Sequence, residues 1–136
     1  MISLKELNPK NFPLDKTQAA NLIVLHEKIN LVRTAYGKPM TVTSGFRSKE
    51  DHIRIYREIA QRKHVELEAF RIPMGSAHLK GCAVDIADPD GSLMQWCRDN
   101  VALLVELELW IEDDVATPRV HFQTYAPKSG SRFFKP

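Results

Sequence analysis

Ser76-Ala77-His78-Leu79-Lys80-Gly81-Cys82-Ala83-Val84-Asp85-Ile86 is the stretch on which the reading of this chain turns. It places an imidazole and a carboxylate on either side of a glycine and a small residue, a spacing suited to two ligands of one metal ion. Ala83 to Ala87 alternates like a central strand. Asp85 within it must face a cleft or solvent, or be paired, because an isolated buried charge is costly. A second apolar-alternating run, Arg119-Val120-His121-Phe122-Gln123, supplies another histidine. Two neutral nitrogens and one anionic oxygen suit a single zinc ion, and three protein ligands leave a fourth position open. Water there has its pKa lowered towards roughly 7, so the ligand set points to a hydrolase. Manganese, cobalt or nickel suit the same ligands. Cys82 lies between two of them, but a fourth side chain would close the site. Cys82 and Cys97 are expected to be reduced and buried.

Working outward, Ala19, Leu22, Ile23, Leu25, Ile29 and Val32 recur near the helical period between Asp15 and about Tyr36, and Gly37-Lys38-Pro39 supplies a stop. His26 is a helix-face histidine within that pattern. Met40 to Thr43 reads as a short strand ending at Ser44-Gly45, with Arg47 just beyond it. Ser48 opens a second, amphipathic helix that sets Ile53, Tyr56, Ile59 and Ala60 on one face. His52 and His64 fall near its ends, where exposed histidines are common. A loop containing Pro73 and Gly75 leads into the motif. Beyond it come a turn at Pro89-Asp90-Gly91, a third helix from Ser92 to about Leu104, a strand from Leu107 to Ile111, and a loop marked by Asp113, Asp114 and Pro118. The tail, residues 126–136, is expected to be irregular, with Phe133 and Phe134 pinning it back. The fold class is α+β, with long N-terminal helices packed on a small, mainly antiparallel sheet that carries the zinc site.

The 136 residues, 43% of them apolar, suffice for one core and are few for two, so residues 1–136 are read as a single domain. The formal charge of +2, from 19 basic and 17 acidic residues, is spread without a like-charge block and names no partner. Arg54, Arg57, Arg62 and Lys63 lack the aromatic platform that would make a nucleic-acid site, and none is expected. Lys5, Glu6, Pro9, Lys10 and Pro13 interrupt the N-terminus, leaving no signal-peptide stretch, and no segment approaches the roughly 20 apolar residues that cross a bilayer. Cytoplasmic synthesis without membrane insertion is the expectation.

The segments SGFRS at Ser44 to Ser48, SAHLKGCAVDI at Ser76 to Ile86, and RVHFQ around His121 together resemble the signature regions of the zinc D-alanyl-D-alanine carboxypeptidase family. That family includes phage and bacterial L-alanyl-D-glutamate endopeptidases and shares its fold with the hedgehog signalling domain. Its pattern S-x-H-x-x-G-x-A-x-D is met at every fixed position by Ser76, His78, Gly81, Ala83 and Asp85, and the resemblance spans roughly residues 40 to 125. It implies that His78, Asp85 and His121 hold one Zn2+ ion. Arg47 would bind substrate or stabilise a developing oxyanion. Ser76 would bind substrate, or else stabilise its own turn. Gly81 would let the chain turn between the ligands, and Ala83 would keep the strand face clear.

The general base departs from the family pattern. Its acid stands two or three residues before the last histidine, where this chain has Pro118 and Arg119, neither able to take a proton. In a related branch the acid ends the preceding strand, which resembles Leu109-Trp110-Ile111-Glu112. Glu112 is therefore the candidate, with Asp113 and Asp114 behind it. If Trp110 opposes His121 then Glu112 shares the histidine's face, and a one-residue slip would remove it.

The resemblance implies a monomeric zinc peptidase that cleaves peptidoglycan peptides, of D-alanyl-D-alanine carboxypeptidase or L-alanyl-D-glutamate endopeptidase type. A phage endolysin or prophage enzyme, reaching the cell wall through a holin or on a virion, fits the small signal-free chain. The alternative is a non-catalytic zinc-containing binding or structural module, such as a virion component, because the hedgehog branch keeps a metal site while serving as an interaction surface.

Overall fold

The computed structural model describes residues 1–65, 72, 74–114 and 117–136. Pro73, and with it part of the loop read before the motif, lies outside the described residues. The fold is α+β and, among the described residues, has five helices, one 3-10 turn and a mixed five-stranded sheet.

Helix α1 (Leu4–Leu7) is a single turn, not foreseen in the sequence, that begins in a capping box between Ser3 and Glu6. Helix α2 (Lys16–Tyr36) has the start and stop that its sequence announces. Asp15 and Gln18 form a reciprocal capping box, and Gly37 closes the helix in the left-handed conformation at φ 76°. Leu22, Leu25, Ile29 and Val32 of α2 are buried. Ile23 is 51% exposed and faces away from them, contrary to its place in the expected apolar set. His26 Nε2 lies 2.8 Å from the Ile2 carbonyl oxygen and helps moor the N-terminus to α2.

Strand β1 (Val42–Ser44) is followed by α3 (Lys49–Arg62), capped by Ser48 Oγ, which accepts from the Asp51 N–H. His52 is wholly buried against the Tyr56 ring, not exposed as its position near a helix end suggested. A 3-10 turn (Ala77–Lys80) then leads to β2 (Ala83–Ala87). The expected third helix is two, α4 (Ser92–Asp99) and α5 (Val101–Glu106). The break falls at Asn100, whose side-chain N–H donates to the Trp96 carbonyl and whose backbone departs from helical geometry. Asparagine competes with the helix ladder in this way.

The next strand, β3 (Trp110–Glu112), is shorter than the expected run from Leu107, because α5 continues to Glu106 and the chain turns through Glu108 at φ 55°. Strand β4 is Arg119–Gln123. The tail is not irregular throughout: Phe133–Phe134 forms β5 and pairs in parallel with β3. The sheet order is β1-β2-β4-β3-β5, with every other pairing antiparallel.

Because side chains alternate along a strand, β2 and β4 each present two faces. Val84, Ile86, Val120 and Phe122 join Ile111 and the buried residues of α2 in one core. Asp85, His121 and Gln123 project from the other face. Both cysteines are free and buried, and burial pushes the Cys97 thiol up to about 12. Among the described residues, no helix is long and apolar enough to cross a membrane.

Candidate metal centre

Strand pairing puts Asp85 directly opposite His121, and His121 directly opposite Glu112, so a rung of three polar residues crosses β2, β4 and β3. Trp110 pairs with Gln123, two residues from the pairing considered in the sequence. A shift of two preserves side-chain parity, so Glu112 still shares the face of His121.

His78 reaches the same point from the 3-10 turn, which is held by side chains of α2. Gln18 Nε2 donates to the Leu79 carbonyl at 3.1 Å, and Asn21 Nδ2 donates to that of Lys80 at 3.0 Å. Gly81 closes the turn at φ 75°, and a Cβ there would sit 2.8 Å from the Gln18 carbonyl oxygen. Gly45 is required more sharply, since a Cβ at that position would lie 2.3 Å from the backbone oxygen of Leu7. That close approach matters to the site because the Gly45 carbonyl is the partner of His78 Nδ1, at 2.8 Å.

His78, Asp85 and His121 are all buried, and one ligand atom from each lies within 4.8 Å of the others. These three residues could hold a metal ion. The hydrogen bonds around them say how the rings are protonated. A carbonyl oxygen only accepts, so His78 Nδ1 carries its proton and directs Nε2 at Asp85 Oδ2, 3.3 Å away. Gln123 Nε2 donates to the Tyr125 carbonyl, so its Oε1 faces His121 Nε2 at 2.9 Å and takes the proton there. His121 Nδ1 is left facing Asp85 Oδ1 at 2.9 Å.

A neutral ring that gives its one N–H to these acceptors would turn a lone pair towards the same carboxylate. Lone pairs facing one another across about 3 Å repel unless a cation lies between them. On His78, burial lowers the pKa against the pull of Asp85 and favours the neutral imidazole. A metal cation satisfies all three groups at once, and second partners such as Gly45 and Gln123 are what orient histidine ligands. Burial also opposes the charge on Asp85, yet contacts with His121 and His78 outweigh it and hold the carboxyl well below the usual carboxylate range.

The centre opens into a cleft of about 950 Å³ that also holds Arg47, Ser76, Glu112, Asp114 and Arg119. Arg47 is mostly buried, not a surface salt-bridge residue. Its Nε donates to Ser44 Oγ at 3.2 Å, and its Nη2 lies 3.9 Å from Asp85 Oδ2. Burial lowers its pKa, partly offset by Asp85. Ser76 Oγ accepts from the His78 N–H at 3.3 Å, the turn-stabilising role weighed for it, while the residue also lines the cleft.

Asp113, considered behind Glu112, points elsewhere and pairs with Arg98 at 2.9 Å and Lys135 at 3.5 Å. Cys82 is not part of the triad; its Sγ lies 3.7 Å from the Lys80 carbonyl. Two residues of the site went unread in the sequence. Gln123 orients His121, and Arg119 contacts both Asp85 and Glu112. The signal for both was the strand period, since positions 119 and 123 share a face with 121.

No family model, curated protein or solved structure matches the chain.

Proposed function

We propose that this chain is a zinc-dependent hydrolase of peptide bonds, with peptidoglycan peptides as its substrate class. The observation that carries the reading is the two-histidine, one-carboxylate cluster at the base of a cleft that also holds a carboxylate and a fixed guanidinium. The sequence resemblance to the zinc D-alanyl-D-alanine carboxypeptidases and L-alanyl-D-glutamate endopeptidases supplies the substrate class and the hedgehog-like fold assignment. It also supplies the setting, a monomeric phage or prophage enzyme acting on the bacterial cell wall.

His78 Nε2, an oxygen of Asp85 and His121 Nδ1 would hold the ion. When bound, zinc supplies Lewis-acid polarisation of a carbonyl and lowers the pKa of water. Glu112, with its side chain 16% exposed in the cleft and one strand from His121, takes a proton from the attacking water. It then returns that proton to the departing amine. Arg47 stays in place beside Asp85 and offers its guanidinium to the negative charge that develops on the carbonyl oxygen. Because Ser44 holds Arg47 Nε, little reorganisation is needed as that charge appears.

The test is release of free amino groups from purified peptidoglycan by zinc-loaded protein, beside a chelator control and the variants His78→Ala and Glu112→Gln. Release that vanishes with the chelator and both variants, while Glu112→Gln still binds zinc stoichiometrically, upholds the proposal. No release despite stoichiometric zinc would replace it with a non-catalytic zinc-containing binding or structural module.

A further inference from the structure

Arg119 stands on the site face of β4, one side-chain repeat before His121. Its Nη1 is 3.0 Å from Asp85 Oδ1 on β2, and its Nη2 is 3.4 Å from Glu112 Oε1 on β3. One guanidinium therefore bridges two carboxylates held by the strands on either side of its own. The arrangement uses what distinguishes arginine from lysine, a planar fork whose N–H directions are fixed relative to one another. The other cation near Asp85 is placed differently, since Arg47 Nε is engaged by Ser44 and its Nη2 approaches Oδ2 only to 3.9 Å. Asp85 is thereby divided. Its Oδ1 meets Arg119 and His121, while its Oδ2 meets His78 and Arg47.

We propose that Arg119 is a positioning residue that ties the metal-ligand carboxylate of Asp85 to the proton-transfer carboxylate of Glu112. The tie to Asp85 concerns metal binding alone, whereas the tie to Glu112 rests on the peptidase reading above. Arg119 does not touch the reacting atoms. It fixes the carboxylate that takes the proton relative to the metal ligands, across a sheet whose β3 contribution is only three residues long. Without it, Asp85 keeps its strand position but loses one of the contacts that orient its oxygens, and Glu112 becomes free to turn towards solvent.

Arg119→Met and Arg119→Lys test this, with zinc affinity measured by competition against a chelating dye and with amino-group release measured at saturating zinc. Loss of a residue that orients a metal ligand typically weakens metal binding about 10- to 100-fold, and that is the expectation for Arg119→Met. Its kcat should fall about 10- to 100-fold with KM within about threefold, as for an interaction felt at the transition state. Arg119→Lys keeps the charge without the fork, so it should shift both quantities in the same direction by less. It also serves should the methionine variant fail to fold. Unchanged zinc affinity would overturn the tie to Asp85. Tighter zinc binding would overturn it too, by showing that the guanidinium competes with the ion for the carboxylate. A raised KM with unchanged kcat would make Arg119 a substrate contact instead. If the unmodified zinc-loaded protein releases nothing, the peptidase reading fails, and the zinc titration by itself still upholds or overturns the hold on Asp85.

Discussion

Strands β2 and β4 share one hydrogen-bonded ladder but carry two faces of opposite chemistry. On one, Val84, Ile86, Val120 and Phe122 are wholly buried and bound to their surroundings by non-directional packing. On the other, Asp85, His121 and Gln123 are nearly as buried yet hold their places by directed contacts at 2.9 to 3.3 Å. The two faces alternate residue by residue, so the core that fixes the strands also fixes Asp85 and His121, two of the three residues that could hold a metal ion. The lesson is a division of labour: the apolar face sets stability and register, and the polar face sets chemistry, with little overlap.

Replacing one ligand should break the polar face most severely. Asp85→Asn is expected to lower zinc affinity by more than about 100-fold, beyond the usual loss from an orienting partner, and to bring amino-group release down to the chelator level. Zinc titration and the release assay check this, and a fold retained by circular dichroism would show that the two faces are separable. On the apolar face, Phe122→Ala should cost about 3–5 kcal/mol and lower the melting temperature by on the order of 10–20 °C. A melt near that of the unmodified protein would mean that the core does not set the register of His121.

The faces should also differ in pH response. Asp85 is held below its ordinary range in the fold, so its contribution to stability is present above the unfolded-state value near 3.8 and is lost as pH falls below it. Cys97, on the core side, is pushed up to about 12. Its contribution is full below the ordinary value of 9.0 and is lost as pH rises from there through about 12. Urea midpoints of the metal-free protein should therefore fall at both extremes, with Asp85→Asn flattening the acid limb and Cys97→Ala the alkaline one. The smallest effect is expected from Asp113→Asn. Pairing with Arg98 and Lys135 turns Asp113 away from the cleft, so release should stay within about twofold. A large loss there would move the proton-transfer role away from Glu112.

Much of the polar face was legible in the sequence because its residue types are unusual for their surroundings. A carboxylate between Val84 and Ile86, and a histidine between Val120 and Phe122, stand out against apolar alternation. The geometry brings both together with His78. Arg119 gives no such signal, because a guanidinium takes no proton and its place comes from the forked donors it offers to two strands. The bounds of α2 were legible from Asp15 and Gly37, whose caps act locally. The break at Asn100 and the strand at Phe133–Phe134 were not, since one depends on a side chain competing with its own helix and the other on pairing with distant β3.

The central pairing of β2 with β4 also has a consequence in time. Asp85 and His121 are 36 positions apart, with α4, α5 and β3 between them, and the sheet order places β4 between β2 and β3. During synthesis the first two ligands emerge well before the strand that completes the set. A nascent chain ending after α5 holds His78 and Asp85 but lacks His121, so the three residues that could hold a metal ion come together only when β4 inserts between its neighbours. If the three residues hold zinc, the rate at which the ion becomes chelator-resistant would time that insertion.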